Sequence, residues 1–475
     1  MINPYLDGDF APLHEEFTLT DLDVTGTVPD YLDGRYLRNG PNPIGEIDPE
    51  LYHWFLGDGM LHGISIRDGR PQWYRNRWIR GPVVARAQGG TPRGRHLGPS
   101  GIGANTNVIG HNGRTLALIE AGYPVYELSE ELDTIGPYDF DGTLSGGYTA
   151  HPKRDPLTGE LHAVSYRFGR GNTVQYSVLG ADGRLRRTVD VEMTGAPMMH
   201  DFSLTDRHVV FYDLPVTFDT RQSAEMTVPQ PLRLSAQLLL SALIGRVRIP
   251  DPIVARLPQP KDSDRRFPYR WNPTYPARIG VMSRDGSSSD VRWFDIDRCY
   301  VFHTLNAYDN GDTVVLDVIR HRTIFDRDMR GPAEDPPTLD RWTVDLAAGT
   351  VRASRIDERA QEFPRVDERR LGKQHRYGYA PGLGDATLYK HDFVSGSTAT
   401  KWFGPGKAPG EFVFEPSSAD AAEDQGVLMG FVYDRATDRS DLAILDAQTL
   451  ENIANIHLPH RVPAGFHGNW LPAAR

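Results

Sequence analysis

Short apolar–polar alternations, each broken by a glycine-containing turn, recur from one end of the chain to the other. Gly63 to Tyr74 breaks at Asp68-Gly69, Thr106 to Ile119 at Asn112-Gly113, Val174 to Leu185 around Asp182-Gly183, Ala307 to Val318 around Asn310-Gly311, and Trp342 to Val351 around Gly349. Period-two strands separated by turns that need positive φ are the signature of successive antiparallel hairpins, and Asp-Gly or Asn-Gly predicts type I′ turns. Radial repetition of such sheets leaves only short, protected edges and gives a β-propeller. The phrases Glu130 to Gly136 and Leu445 to Leu450, each a Leu with Asp and Thr in a turn, resemble a repeated strand–turn unit. No strict period survives, so the repeat itself does not set the number of blades.

One segment breaks the pattern. Pro229 to Arg248 opens with proline, closes at Gly245 and carries the leucine-rich stretch Leu238 to Ile244 with Arg233, Arg246 and Arg248 beside it. This predicts a helix. Two roles follow for it, packing on the propeller or lying in a bilayer interface as a peripheral contact.

Composition narrows the class. The chain has 475 residues with 47 Gly and 36 Pro, many turns for an ordinary apolar content of 39%, and no linker that divides it. One domain spanning 1–475 is therefore expected, large enough to be a radial repeat. A net charge of -11 without a basic block argues against nucleic acid as a partner. Cys299 stands alone, the N-terminus has neither a basic nor an apolar leader region, and no stretch approaches the length of a spanning helix. A cytoplasmic protein is expected, in peripheral contact with the membrane if the leucine-rich helix is interfacial, with no obligate protein partner.

Four histidines sit in aromatic-flanked phrases: Tyr148-Thr149-Ala150-His151-Pro152, Met198-Met199-His200-Asp201-Phe202, Tyr300-Val301-Phe302-His303-Thr304, and Phe466-His467-Gly468-Asn469-Trp470. Their spacings of 49, 103 and 164 residues fit no local metal loop. Only a fold that returns repeatedly to one centre brings them together, which a toroid does. Four neutral imidazoles leave the full charge on a divalent ion and, in octahedral geometry, two open positions; this suits a redox metal, iron, better than tetrahedral zinc. The other twelve histidines receive ordinary roles. His53 and His62 are assigned to packing or hydrogen bonding, and His14, His96, His111, His162, His208, His321, His375, His391, His457 and His460 to surface or strand positions.

With those phrases, Arg38-Asn39-Gly40-Pro41-Asn42-Pro43, His53 to Gly63, Gln361-Glu362-Phe363-Pro364-Arg365 and Gly410-Glu411-Phe412 make the chain resemble the carotenoid cleavage oxygenases over nearly its whole length. The resemblance implies an all-β, seven-bladed propeller with loops and short helices over one face. At roughly 68 residues per blade, more than a compact propeller repeat needs, there is material for that cover. It also implies one Fe2+ per chain on His151, His200, His303 and His467, dioxygen as cosubstrate and no organic cofactor. Glu120, Glu362 and Glu411 are implied as outer carboxylates, each paired with a ligand histidine in an order that sequence leaves open. The implied reaction is cleavage of a C=C bond of an apolar polyene, a carotenoid or apocarotenoid, to carbonyl products.

Candidates for an apolar substrate wall are Trp54, Phe55, Tyr123, Tyr148, Met199, Phe302, Leu305 and Phe466, all within or beside the motif phrases. Stilbene-cleaving members of the family carry a lysine before the first outer glutamate. Ile119 stands there in this chain, which favours a polyene over a stilbene or another phenylpropanoid alkene. Readings of another kind are an isomerohydrolase sharing the same metal shell and a non-enzymatic propeller platform.

Overall fold

The computed structural model describes residues 3–91, 102–144, 147–167, 169–250, 253, 264–332 and 334–473; His96 and most of the Pro250 to Pro260 stretch fall outside them. Among the described residues seven antiparallel sheets follow one another as the blades of a propeller. Blade two is the meander Asn107–His111, Arg114–Leu118, Val125–Leu128 and Thr134–Tyr138, and blade five is Tyr300–Asn310, Thr313–His321, Thr338–Asp345 and Thr350–Asp357. Burial grades across a blade as the sequence dictates. Thr313–His321, on the inner side, is buried along almost its whole length, whereas the outer strand Leu185–Glu192 alternates with its polar residues in water.

The ring closes twice. Val24–Gly26 pairs with Asn452–His457 in blade seven, and Gly468–Pro472 pairs with Gly34–Pro41 in blade one. Gly26 has φ +80°, and a Cβ there would run into the Ile453 carbonyl, so this seam requires glycine.

The predicted turns are of more than one kind. Asp68-Gly69 and Asn112-Gly113 are two-residue loops with both φ values positive, as type I′ requires. At Asn310 the loop is Gly311-Asp312, with Gly311 alone at positive φ, because Asn310 still pairs with Thr313. Asp182-Gly183 lies in a longer connection between Leu179 and Leu185.

An insertion within blade four, between His208–Asp213 and Arg278–Ser283, carries the predicted helix at Arg233–Leu243 and a second helix, Thr220–Thr227, capped by Asp219. The two helices touch through Thr220 and Ser241, whose hydroxyls lie 2.8 Å apart. No residue of Arg233–Leu243 is buried.

Candidate metal centre and its two cavities

His151, His200, His303 and His467 come from four blades and place one ring nitrogen each within 4.8 Å of one another, all four side chains buried. His151 and His200 lie two and three residues before the short strands Lys153–Arg154 and Ser203–Leu204, His467 directly precedes Gly468–Pro472, and His303 lies in Tyr300–Asn310. Each of these is the terminal strand of its sheet on the side facing the axis, so blade repetition does what no local spacing could.

Three of the four histidines each face one carboxylate. Nδ1 of His200 lies 2.9 Å from Glu120, Nδ1 of His303 2.5 Å from Glu362, and Nδ1 of His467 2.9 Å from Glu411. A carboxylate accepting from Nδ1–H fixes the tautomer and leaves Nε2 as a bare lone pair. The bare pairs of His200 and His303 then face each other, Nε2 to Nε2, at 3.2 Å, and His151 brings its own Nε2 to 2.9 Å from that of His200. Lone pairs at that range repel unless a cation lies between them. An ion bonded at about 2.0–2.1 Å to two imidazoles at a right angle would separate their nitrogens by about 2.9 Å. The donor set therefore fits a metal ion.

The electrostatics agree. Burial, and then the facing rings of His200, His467 and His303, push His151 well below the ordinary imidazole value, and burial lowers His303 despite its carboxylate. At His200 burial also opposes the charge, but Glu120 outweighs it and raises the value. Glu362 and Glu411 stay below the usual carboxylate range although burial works against their ionisation. His303 and His321 hold the first, Arg365 and His467 the second.

Two cavities meet at the centre. One, of about 750 Å³, is bounded by His200, His303 and His467 and is otherwise mostly apolar, with a group of aromatic rings in its wall. Trp54, Phe55, Tyr123, Phe302 and Phe466 line it as the sequence suggests, and Tyr166, Phe267 and Phe363 join them. Ile119 lines it beside Glu120. Tyr148 packs instead against Phe140, and Met199 lies in the core that also holds Phe202 and Phe211; neither is among the residues of this wall. Leu305 borders the second cavity, of about 1040 Å³, which reaches His151, His303 and His467 from the other side and is lined largely by polar groups such as Asn107, Lys153 and Asp201.

Sequence reasoning passed over His321. Its Nε2 is 2.8 Å from the second oxygen of Glu362, and its ring stands edge-on to Phe302. The available signal was strand pairing, since Tyr300 opposes His321 and so sets it beside the third histidine phrase. Arg365, quoted only as part of a phrase, lies 3.5 Å from Glu411. His53 and His62 have the assigned roles: His53 stacks on Phe267 and accepts from the Phe55 amide, and His62 bonds Tyr74.

A sequence model described as retinal pigment epithelial membrane protein matches residues 10–472. A carotenoid cleavage oxygenase of Mycobacterium tuberculosis is 56% identical over 99% of this chain and 98% of its own. Among solved structures, a lignostilbene dioxygenase of Pseudomonas brassicacearum superposes with a TM-score of 0.82 at 27% identity, covering 99% of this chain and 98% of that one. The cobalt-substituted apocarotenoid oxygenase of Synechocystis does so with a TM-score of 0.80 at 26% identity, covering 97% of each chain.

Proposed function

The chain belongs to the carotenoid cleavage oxygenase family, and from that membership we propose that it holds one ferrous ion on His151, His200, His303 and His467 and cleaves a C=C bond of a carotenoid or apocarotenoid. One dioxygen is consumed and each alkene carbon leaves as a carbonyl, so atoms balance without a further reductant. The observation that carries the reading is the convergence of imidazole nitrogens at the wall of a mostly apolar cavity. Iron, when bound, supplies the centre at which dioxygen is activated.

The protein's own groups do the rest. Glu120, Glu362 and Glu411 hold three imidazoles in one tautomer, raise their basicity and offset the charge of the ion. Phe55, Phe302 and Phe466 offer flat apolar faces that seat a conjugated chain and exclude water. A cavity of about 750 Å³ lies in the usual range for ligand sites. Ile119 gives no charged anchor for a phenol where it lines the wall, which supports a polyene over a stilbene.

Such a substrate resides in lipid, and the Arg233–Leu243 helix is suited to meet it. Leu234, Leu238 and Leu239 are 68%, 64% and 60% exposed. Among the described residues no helix is long and apolar enough to cross a membrane, so the contact would be peripheral.

The test is anaerobic reconstitution with iron, then aerobic incubation with a polyene panel and mass analysis of products. Paired aldehydes or ketones formed only with both iron and dioxygen are expected. Turnover without dioxygen would indicate an isomerohydrolase instead, and absence of both iron retention and turnover would indicate a binding platform.

A further inference from the structure

The three outer glutamates hold three of the histidine rings, but none of them bonds to two of the four histidine-bearing segments. A separate set of bonds does. On the side of the polar cavity, Asp201, the residue after His200, accepts on Oδ2 from the Thr304 backbone amide at 2.9 Å, from the Thr304 hydroxyl at 3.1 Å and from Lys153 Nζ at 3.0 Å. Its Oδ1 takes the Phe202 amide at 2.8 Å. Thr304 follows His303, and Lys153 lies two residues after His151. One carboxylate, 3% exposed, thus ties together three histidine-bearing segments from three blades.

The fourth segment joins through asparagines. Asn469, two residues after His467, donates to Asn107 Oδ1 at 3.1 Å, and Asn107 donates to the Ala150 carbonyl at 2.8 Å, next to His151. Asn107, Lys153, Asp201, Thr304 and Asn469 all border the polar cavity and none borders the aromatic one. No bond in this chain of contacts touches an imidazole ring.

We infer that Asp201 is a positioning residue for the metal centre: with Lys153 and Thr304 it locks the spacing of the His151, His200 and His303 segments from beneath. The inference rests on the four-histidine ligand reading. An aspartate is suited because an ionised carboxylate only accepts, so four donors converge on it without conflict. In Asp201→Asn, the side-chain amide must point its own hydrogens at the Phe202 amide or at the Lys153 and Thr304 donors. The segments would then part on that side while the volume stays nearly constant. Removal of the Thr304 hydroxyl is milder, because its backbone N–H remains.

The probe is Co2+, whose visible absorption reports ligand geometry, titrated into metal-free full-length protein of known circular dichroism. Asp201→Asn is expected to weaken Co2+ binding about tenfold, at the lower end of the range for residues that support ligands indirectly, and to shift the absorption bands. Thr304→Val should shift them less, and Thr304→Ser should restore the wild-type spectrum. A folded Asp201→Asn protein with wild-type affinity and spectrum, even at reduced melting temperature, would overturn the inference and leave a purely structural role. If Asp201→Asn does not fold, identical spectra and affinities for Thr304→Val and Thr304→Ser would overturn it equally. A His303→Ala control separates the two levels, since wild-type Co2+ binding there sinks the ligand reading itself.

Discussion

Glu362 accepts from His303, from His321 and from the Phe363 amide, so a single carboxylate carries one histidine of the central cluster and a second buried imidazole. An amide in its place can accept on one atom only and turns hydrogens toward another donor. Glu362→Gln should therefore lower iron affinity or turnover about 10- to 100-fold without loss of solubility, read by metal content and product rate. Glu411→Gln should act similarly, since Glu411 serves both His467 and the Gly468 amide. Wild-type iron content and rate in Glu120→Gln, Glu362→Gln and Glu411→Gln alike would remove the carboxylates from the account. The four histidines were legible because their phrases are distinctive. The glutamate pairings were not, because they depend on which loops abut across the axis, and His321 sat in an unmarked strand whose partner only the register reveals.

At the scale of elements, hairpins follow from alternation and turn chemistry, and five of the sequence alternations contain or span observed hairpins. Turn type was less legible, since whether Asn310 ends a strand or enters its loop depends on pairing rather than on the dipeptide. The leucine-rich segment folds as the predicted helix, but its pattern could not separate a packed face from a free one. Leu234 and Leu238, four residues apart and both exposed, share one face. Changing both to Ser should leave the melting temperature within a few degrees of wild type, because little buried area is lost, while lowering binding to liposomes and slowing cleavage of membrane-embedded polyene. Cleavage of a shorter, detergent-solubilised apocarotenoid should be spared. Unchanged liposome binding would contradict an interfacial role.

The whole molecule is held by its double seam and by a buried histidine set that makes it sensitive to acid. The seam predicts that Gly26→Ala lowers the melting temperature, since it must distort the Val24–Gly26 pairing with blade seven; an unchanged melting temperature would show that this contact is dispensable. Burial holds His53 and His162 at about 3 and His391 at about 4. Below pH 6.5 the unfolded chain takes up protons at these sites and the folded chain does not. Stability is thus full above that pH and falls as pH drops toward 3–4, by at most about 2 kcal/mol per histidine at pH 5. His391→Gln should flatten the loss of melting temperature between pH 7 and 5 in metal-free protein, and an unaltered slope would contradict the assignment. The toroid was legible from hairpin repetition, but its blade count came from family resemblance, because insertions such as that in blade four erase the period.

The central claim is that one iron sits on four imidazoles, and X-ray absorption at the iron edge of anaerobically reconstituted protein tests it most directly. Near-stoichiometric iron is expected in the wild type, with outer-shell scattering that fits four imidazole rings, and with iron lost or the ring scattering reduced in His303→Ala. A spectrum dominated by oxygen ligands, or one unchanged by His303→Ala, would contradict it.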